Sequence, residues 1–220
     1  MQSSFPNRAE AGRVLAEKLD KYAGRDDVIV LGLPRGGVPV AYQVAKRLRV
    51  PLDVFIVRKL GVPGFEELAL GAIASGGVRV VNEDVLRVLP NANELVASVT
   101  AREMDELERR EQLYRDGRPA PEFKGKTVIL VDDGLATGAT MRAAVKALRQ
   151  LGAAKIIVAV PVGAADTCRE LEHEVDETVC VMAPEWFQAV GQFYDDFSQT
   201  SDDEVRQLLA RAAGRETGDE

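Results

Sequence analysis

Residues 127 to 141 read Thr-Val-Ile-Leu-Val-Asp-Asp-Gly-Leu-Ala-Thr-Gly-Ala-Thr-Met, and no other stretch limits the fold so narrowly. Val128 to Val131 form an apolar run of the length expected for a buried strand. Two carboxylates, Asp132 and Asp133, follow at once, and then a short loop of small and hydroxyl residues, Gly134 to Thr140. Met141, Ala144, Val145 and Leu148 then recur at helical spacing. The stretch therefore predicts strand, acidic pair, glycine-bearing loop and helix.

This order of residues has a chemical consequence. Backbone N–H groups at the start of a helix, with the positive end of its dipole, suit a phosphate. Gly134 and Gly138 let the backbone turn and approach an anion without a Cβ in the way. Thr137 and Thr140 add hydroxyl donors. A bare acidic pair would repel the same anion, so it needs cations or vicinal hydroxyls to accept from. A ribose 5-phosphate meets both demands, with its phosphate in the loop and its 2- and 3-hydroxyls on the carboxylates.

Other phosphate signatures fit less well. Gly125-Lys126-Thr127 has the end of a Walker loop, but it leads into a strand, and the upstream glycine position holds Ala120. A dinucleotide fingerprint needs G-x-G-x-x-G after a strand, which is missing. A phosphohydrolase of the haloacid pattern spaces its acids as Asp-x-Asp, whereas here they are adjacent and Gly134 follows.

Val-Ile-Leu-Val-Asp-Asp-Gly-Leu-Ala-Thr-Gly-Ala-Thr resembles the phosphoribosyl pyrophosphate (PRPP) motif of the type I phosphoribosyltransferases. The resemblance implies that Asp132 and Asp133 hold the ribose hydroxyls. It also implies that Gly134 and the run Ala136, Thr137, Gly138, Ala139 and Thr140 cradle the 5-phosphate.

A chain of 220 residues, 46% hydrophobic and 29% charged, suits one globular domain with a sizeable core. A net charge of −7 argues against nucleic acid or an anionic membrane as the main partner. The start, Met-Gln-Ser-Ser-Phe-Pro, carries no apolar signal region, and no run reaches the ~18 apolar residues that span a bilayer. The expectation is a cytoplasmic protein. Cys168 and Cys180 read as a reduced thiol pair, and the lone His173, between Glu172 and Glu174, as a surface residue without a function.

Ala9, Gly12, Val14, Leu15, Leu19 and Tyr22 predict an amphipathic helix from 8 to 23, with Asn7 as cap. A strand at 28–33 then runs into Pro34-Arg35-Gly36-Gly37 and a helix from 40 to 47, a second strand–glycine loop–helix unit. Arg35 offers a fork of donors to phosphate oxygens. This loop is similar to the pyrophosphate loop of the same family, which implies a cis peptide at Pro34–Arg35 or Arg35–Gly36 and pyrophosphate contacts from Arg35, Gly36 and Gly37.

A third strand, 52–57, ends in Arg58-Lys59, where open α/β sheets bind ligands. The resemblance implies that Arg58 and Lys59 contact pyrophosphate at the start of a mobile catalytic loop. Residues 60 to 77 read as a flap with a strand at 68–74 and a Gly76-Gly77 hairpin turn into 78–81. Glu66 and Glu67 are given no catalytic role. A short helix at 82–89 and a long one at 92–115 follow, the latter with Asp105–Arg109 and Glu106–Arg110 pairs. After the central unit come a strand at 155–160, a helix at 163–171 and a strand at 175–182.

Trp186 and Phe187 follow that last strand, placed either to stack on a flat acceptor or to lid the core. They resemble the stretch where an aromatic covers the purine in hypoxanthine-guanine type enzymes. The acid–base lysine of those enzymes has no counterpart between Thr178 and Pro184. Ser201 to Glu204 caps a last helix that runs to about Ala213, and 214–220 should fray.

The expected fold is α/β, a mostly parallel twisted sheet flanked by helices. The single domain spans 1–213, with a core at about 25–182, a small hood from the N-terminal residues and 183–213, and a flexible flap. The expected activity is transfer of a 5-phosphoribosyl group from PRPP to a nitrogenous base or similar small-molecule acceptor, with release of pyrophosphate. Mg²⁺ is the expected cofactor, held by Asp132 and Asp133 directly or through water. Arg58, Lys59, Asp132 and Asp133 are the catalytic candidates, and Trp186 and Phe187 the acceptor-binding ones. The alternative is a PRPP- or nucleotide-binding regulator without turnover. A homodimer is compatible with either.

Overall fold

The computed structural model describes residues 4–62, 65–88 and 91–214. The expected frayed tail beyond Gly214 and the Pro63-Gly64 part of the flap lie outside these residues. In chain order the elements are α1 (Arg8–Glu17), β1 (Val28–Gly32), α2 (Gly37–Leu48), β2 (Leu52–Val54), β3 (Val57–Val62), β4 (Phe65–Ala74), β5 (Val78–Val81) and α3 (Glu83–Val88). Then follow α4 (Ala92–Arg115), β6 (Thr127–Val131), α5 (Ala139–Gln150), β7 (Lys155–Val162), α6 (Ala165–Leu171), β8 (Glu177–Met182) and α7 (Asp202–Ala212).

Five strands form a parallel sheet in the order β2-β1-β6-β7-β8. Both β1 and β6 are buried along their whole length, because helices cover both faces. Alternation along the strands sends Val30, Ile129 and Val131 to one side, against Leu15 of α1, Val44 and Leu48 of α2, and Leu209 of α7. Leu31, Val128 and Leu130 face the other side, with Met141, Ala144, Val145 and Leu148 of α5. Each fully buried Val, Leu or Ile of this set contributes about 1.5–3 kcal/mol. This is the parallel α/β sheet that the alternation of elements predicts.

The strand order has a functional consequence. From β1 the chain crosses to β2 on one side, and from β6 it crosses to β7 on the other. The reversal makes the carboxyl ends of β1 and β6 the topological switch point, the place where open α/β sheets take ligands. Gly32 is paired with Val131, so the loops that leave these two strands start side by side.

Several elements differ from their expected form. The first helix stops at Glu17 and gives way to a 3₁₀ turn at Asp20–Tyr22. The strand expected at 52–57 is split: β2 stops at Val54, and β3 pairs antiparallel with β4 in a separate β3-β4-β5 sheet. The chain changes partners in between, since the Phe55 N–H donates to Gly32 O at 3.0 Å and the Ile56 N–H to Ser75 Oγ at 2.9 Å. The expected flap is thus a small sheet, with Gly76 and Gly77 at φ 81° and 71° as its hairpin turn. Helix α4 matches its expected span and packs Val96, Val99 and Leu107 inward. On it Glu106 pairs with Arg110 as expected, but Arg109 turns to Glu106 rather than to Asp105.

The segment expected to form the hood divides between two clusters. Phe5, Phe193 and Tyr194 form a cluster with Phe187 and Val190, whereas Val205 and Leu209 of α7 join the main core beside α2. Cys168 and Cys180 are joined as a disulfide, which corrects the free-thiol reading. The two residues lie on consecutive elements, helix α6 and strand β8, whose facing sides bring the sulfurs together.

Candidate active site

The two glycine loops leave the sheet edge together, and their residues interlock. After β1 the Leu33 N–H donates to Val131 O at 2.9 Å, and the Gly37 N–H returns to Leu33 O at 3.0 Å. The Pro34–Arg35 peptide is cis, at one of the two expected positions. A Cβ on Gly36 would stand 2.0 Å from Asp133 Oδ2, and one on Gly37 would stand 2.8 Å from Val131 O and 3.0 Å from Asp132 Oδ1. Glycine at both positions is therefore a requirement of the acidic pair's position.

The acidic pair is turned inward from its own loop. Asp132 Oδ1 accepts from the Asp133 N–H at 2.8 Å. Asp133 Oδ2 accepts from Arg8 Nε at 2.8 Å, and Asp133 O accepts from Tyr194 Oη at 2.5 Å. Burial, and then the negative charge of Asp133, push the Asp132 carboxyl well above the usual carboxylate range, with Arg8 opposing the rise. Burial likewise raises the Tyr194 hydroxyl, which serves as a donor in this site.

The following loop is built as the sequence predicts. Leu135 is held to the next strand, its N–H donating to Val162 O at 2.9 Å. Gly138 precedes α5 with φ 74°, a conformation that favours glycine. Thr167 Oγ1 donates to Ala136 O at 2.7 Å, and Arg142 Nη1 donates to Thr137 O at 2.8 Å. With those carbonyls occupied, the exposed residues Ala136, Thr137, Ala139 and Thr140 surround the N-terminal end of α5, where the Ala139 N–H donates to Thr137 Oγ1 at a long 3.5 Å. This end can hold an anion.

The remaining expected site residues are less convergent. Arg35 is half-buried and faces Asp202 of α7, Nη1 to Oδ1, at 3.8 Å. Tyr114 Oη donates to the same Asp202 oxygen at 2.6 Å, and burial with that bond pushes the phenol up to about 12. Arg58 and Lys59 lie within β3 rather than at the end of a core strand. Arg58 donates through Nε and Nη2 to Glu103 Oε2 of α4, at 3.0 and 2.6 Å. Phe187 stacks on Phe193 with centroids 5.3 Å apart, while Trp186 is 89% exposed. Phe187 therefore acts as part of the hood's packing, and Trp186 alone presents an open face.

Three contributors were not evident from sequence. Arg8, Tyr194 and Val190 reach the acidic loop from the chain's start and from beyond β8, with Val190 methyls against Gly134. Asn7 as a helix cap was the only local signal near Arg8. Among the described residues no cluster of three or more His, Cys, Asp or Glu could hold a metal. The donor set that remains, two adjacent carboxylates, suits Mg²⁺, which keeps waters and takes further oxygens from a substrate's phosphates. No described helix is long and apolar enough to cross a membrane.

Residues 4–198 match the phosphoribosyl transferase domain family. A Mycobacterium tuberculosis H37Rv protein, provisionally named a phosphoribosyl transferase, is 49% identical over 208 residues, 94% of this chain and 47% of its own length. The chain thus spans about half the length of that curated relative. The bifunctional protein PyrR of Clostridium acetobutylicum is 29% identical over 147 residues, 66% of this chain and 62% of that protein. The crystal structure of TT1426 from Thermus thermophilus is 42% identical, with a TM-score of 0.83 over 94% of this chain and 98% of that one.

Proposed function

Because this chain belongs to the phosphoribosyl transferase family, we propose that it transfers the 5-phosphoribosyl group of PRPP to a ring nitrogen of a small acceptor. The bond from C1 to pyrophosphate breaks, the bond from C1 to nitrogen forms, and the acceptor gives up a proton. One observation carries the reading: the loop bearing Arg35 and the loop bearing Asp132 and Asp133 meet at the carboxyl edge of the sheet, with Gly36 against Asp133.

The N–H groups around Ala136 to Thr140 would hold the 5-phosphate, at the end of α5. Asp132 and Asp133 would accept from the ribose hydroxyls and offset positive charge as C1 becomes oxocarbenium-like. Arg35, with the Gly36 and Gly37 backbone, would bind the departing pyrophosphate, joined by Arg58 and Lys59 of the flap. Mg²⁺, held by Asp132 and Asp133 directly or through water together with PRPP oxygens, would supply neutralisation of the leaving group's charge. No protein nucleophile is needed, since positioning and electrostatics suffice. The flap sheet would exclude water from the activated sugar.

A second reading is PRPP binding without turnover, as in a regulator. It is favoured by the engagement of Arg58 with Glu103, which leaves the leaving-group side with fewer converging cations.

Incubation of protein, Mg²⁺ and PRPP with a panel of bases, read by pyrophosphate release, separates the two. Release with one base establishes the transferase and names its acceptor. PRPP binding by calorimetry with no release for any base supports the regulator. Absence of PRPP binding sinks both.

A further inference from the structure

A cation from outside both loops is built into the acidic pair. The Arg8 side chain is 12% exposed and that of Asp133 14%. Three contacts define the guanidinium: Nε to Asp133 Oδ2 at 2.8 Å, Nη1 to Ser198 O at 2.7 Å, and its central carbon 3.9 Å from the centroid of the Phe197 ring.

The backbone delivers Arg8 to this place. The Phe5 N–H donates to Phe193 O at 2.8 Å, the Asp195 N–H to Phe5 O at 2.9 Å, and the Asp196 N–H to Pro6 O at 3.0 Å. Asn7 Oδ1 then caps α1 by accepting from the Glu10 N–H at 3.0 Å. Helix α1 is itself seated on α2, where a Cβ on Gly12 would stand 2.7 Å from Val40 O. Arg8 thus sits on a frame fixed at both ends.

The geometry is selective. Nε occupies Oδ2 of Asp133, and no described residue donates to Oδ1 of the same carboxylate. One oxygen is held by the protein and the other is left for a ligand. Two adjacent carboxylates would also repel an incoming polyanion, and a fixed guanidinium removes one of those charges before the ligand arrives.

We propose that Arg8 is a positioning residue for the ribose-holding acids, acting through Asp133 to aim its free oxygen and to make the pair acceptable to a polyanionic sugar phosphate. This rests on the reading of Asp132 and Asp133 as ribose ligands. Arg8 sets the acids before the ligand arrives, so its removal is read first as weaker PRPP binding and a raised KM. Removal also leaves two uncompensated carboxylates, which attract a divalent cation more strongly than before.

The test compares the parent with Arg8→Met and Arg8→Lys by calorimetric titration with PRPP in Mg²⁺, by titration with Mn²⁺ alone, and by thermal melting. For Arg8→Met the expected result is PRPP affinity about 10–100-fold weaker and Mn²⁺ affinity higher than the parent's. Loss of both affinities marks a merely structural role and overturns the proposal. Unchanged or tighter PRPP binding overturns the proposal, the latter because it makes Arg8 a plug that the ligand displaces. If Arg8→Met fails to fold, Arg8→Lys decides: a loss of several-fold in PRPP affinity supports the role, and parental affinity overturns it. A parent that binds no PRPP defeats the ribose reading itself, and the Arg8 role with it.

Discussion

Gly36 and Asp133 touch across the junction of two loops, with room between the Gly36 Cα and Asp133 Oδ2 for hydrogen alone. A Cβ at Gly36 would meet a carboxylate oxygen that Arg8 already holds from the other side. The oxygen cannot simply swing away. Gly36→Ala should therefore weaken PRPP binding at least 10-fold in calorimetry, at a folding cost of about 1–3 kcal/mol. Parental affinity in this variant would mean that the two loops do not act as one site.

Asp133→Asn keeps the shape of the side chain and removes its charge. It should weaken PRPP binding about 10–100-fold while the far-ultraviolet spectrum stays parental. An affinity equal to the parent's would remove Asp133 from the ribose site.

Arg58 and Lys59 are adjacent, yet the structure assigns them different consequences. Arg58 is paired with Glu103, which is only 8% exposed. Arg58→Met should cost about 1–2 kcal/mol in denaturant unfolding, because it strips the donors from Oε2 of a buried carboxylate whose Oε1 alone stays with Arg102, at 3.2 Å. Lys59 is exposed on β3, where contacts of an ammonium with neighbouring groups add little to stability. Lys59→Met should therefore leave the unfolding midpoint within experimental scatter and lower pyrophosphate release. Equal stability losses for the two would contradict this division.

Gly138 has φ 74°, and a Cβ there would stand 2.8 Å from the Thr167 Cγ2. Gly138→Ala should cost about 1–3 kcal/mol by left-handed strain and crowding. It should also loosen the anion end of α5, read as weaker competition by ribose 5-phosphate in a PRPP binding assay.

Asp27 ties the start of β6 to the end of the turn before β1. It accepts from Thr127 Oγ1 at 2.9 Å and from Arg25, and these bonds, that of Arg25 first, lower its carboxyl to about 2. A depressed folded-state pKa gives stability that is present above the unfolded value and is lost as pH falls through the folded one. Asp27→Asn should therefore melt below the parent at pH 7, with the gap closing as pH falls from about 4 toward about 2. A gap that holds constant across that range would exclude ionisation as its source.

The central unit was legible because its signals are local. Val128 to Val131 announce a buried strand, Gly138 a tight turn, and Met141 to Leu148 a helix face, and each is found there. Arg58 misled, because an apolar run followed by cations reads as one strand with a charged end. In the structure the run changes sheets between Val54 and Val57, and hydrogen bonds from the Phe55 and Ile56 N–H groups to Gly32 O and Ser75 Oγ, distant in sequence, decide that break. The cysteines misled for a different reason: they lie 12 residues apart on consecutive elements, α6 and β8, and the sequence does not show that their side chains face each other.

Sequence alone determined the α/β class, both glycine loops and the acidic pair, since periodicity, turn chemistry and adjacent charges act over a few residues. Tertiary structure decided which distant groups complete the site. Arg8 reaches Asp133 and Tyr194 reaches the same residue's carbonyl because the hood closes on the sheet edge. Such contacts depend on where whole layers come to rest, and no local preference along the chain encodes that placement.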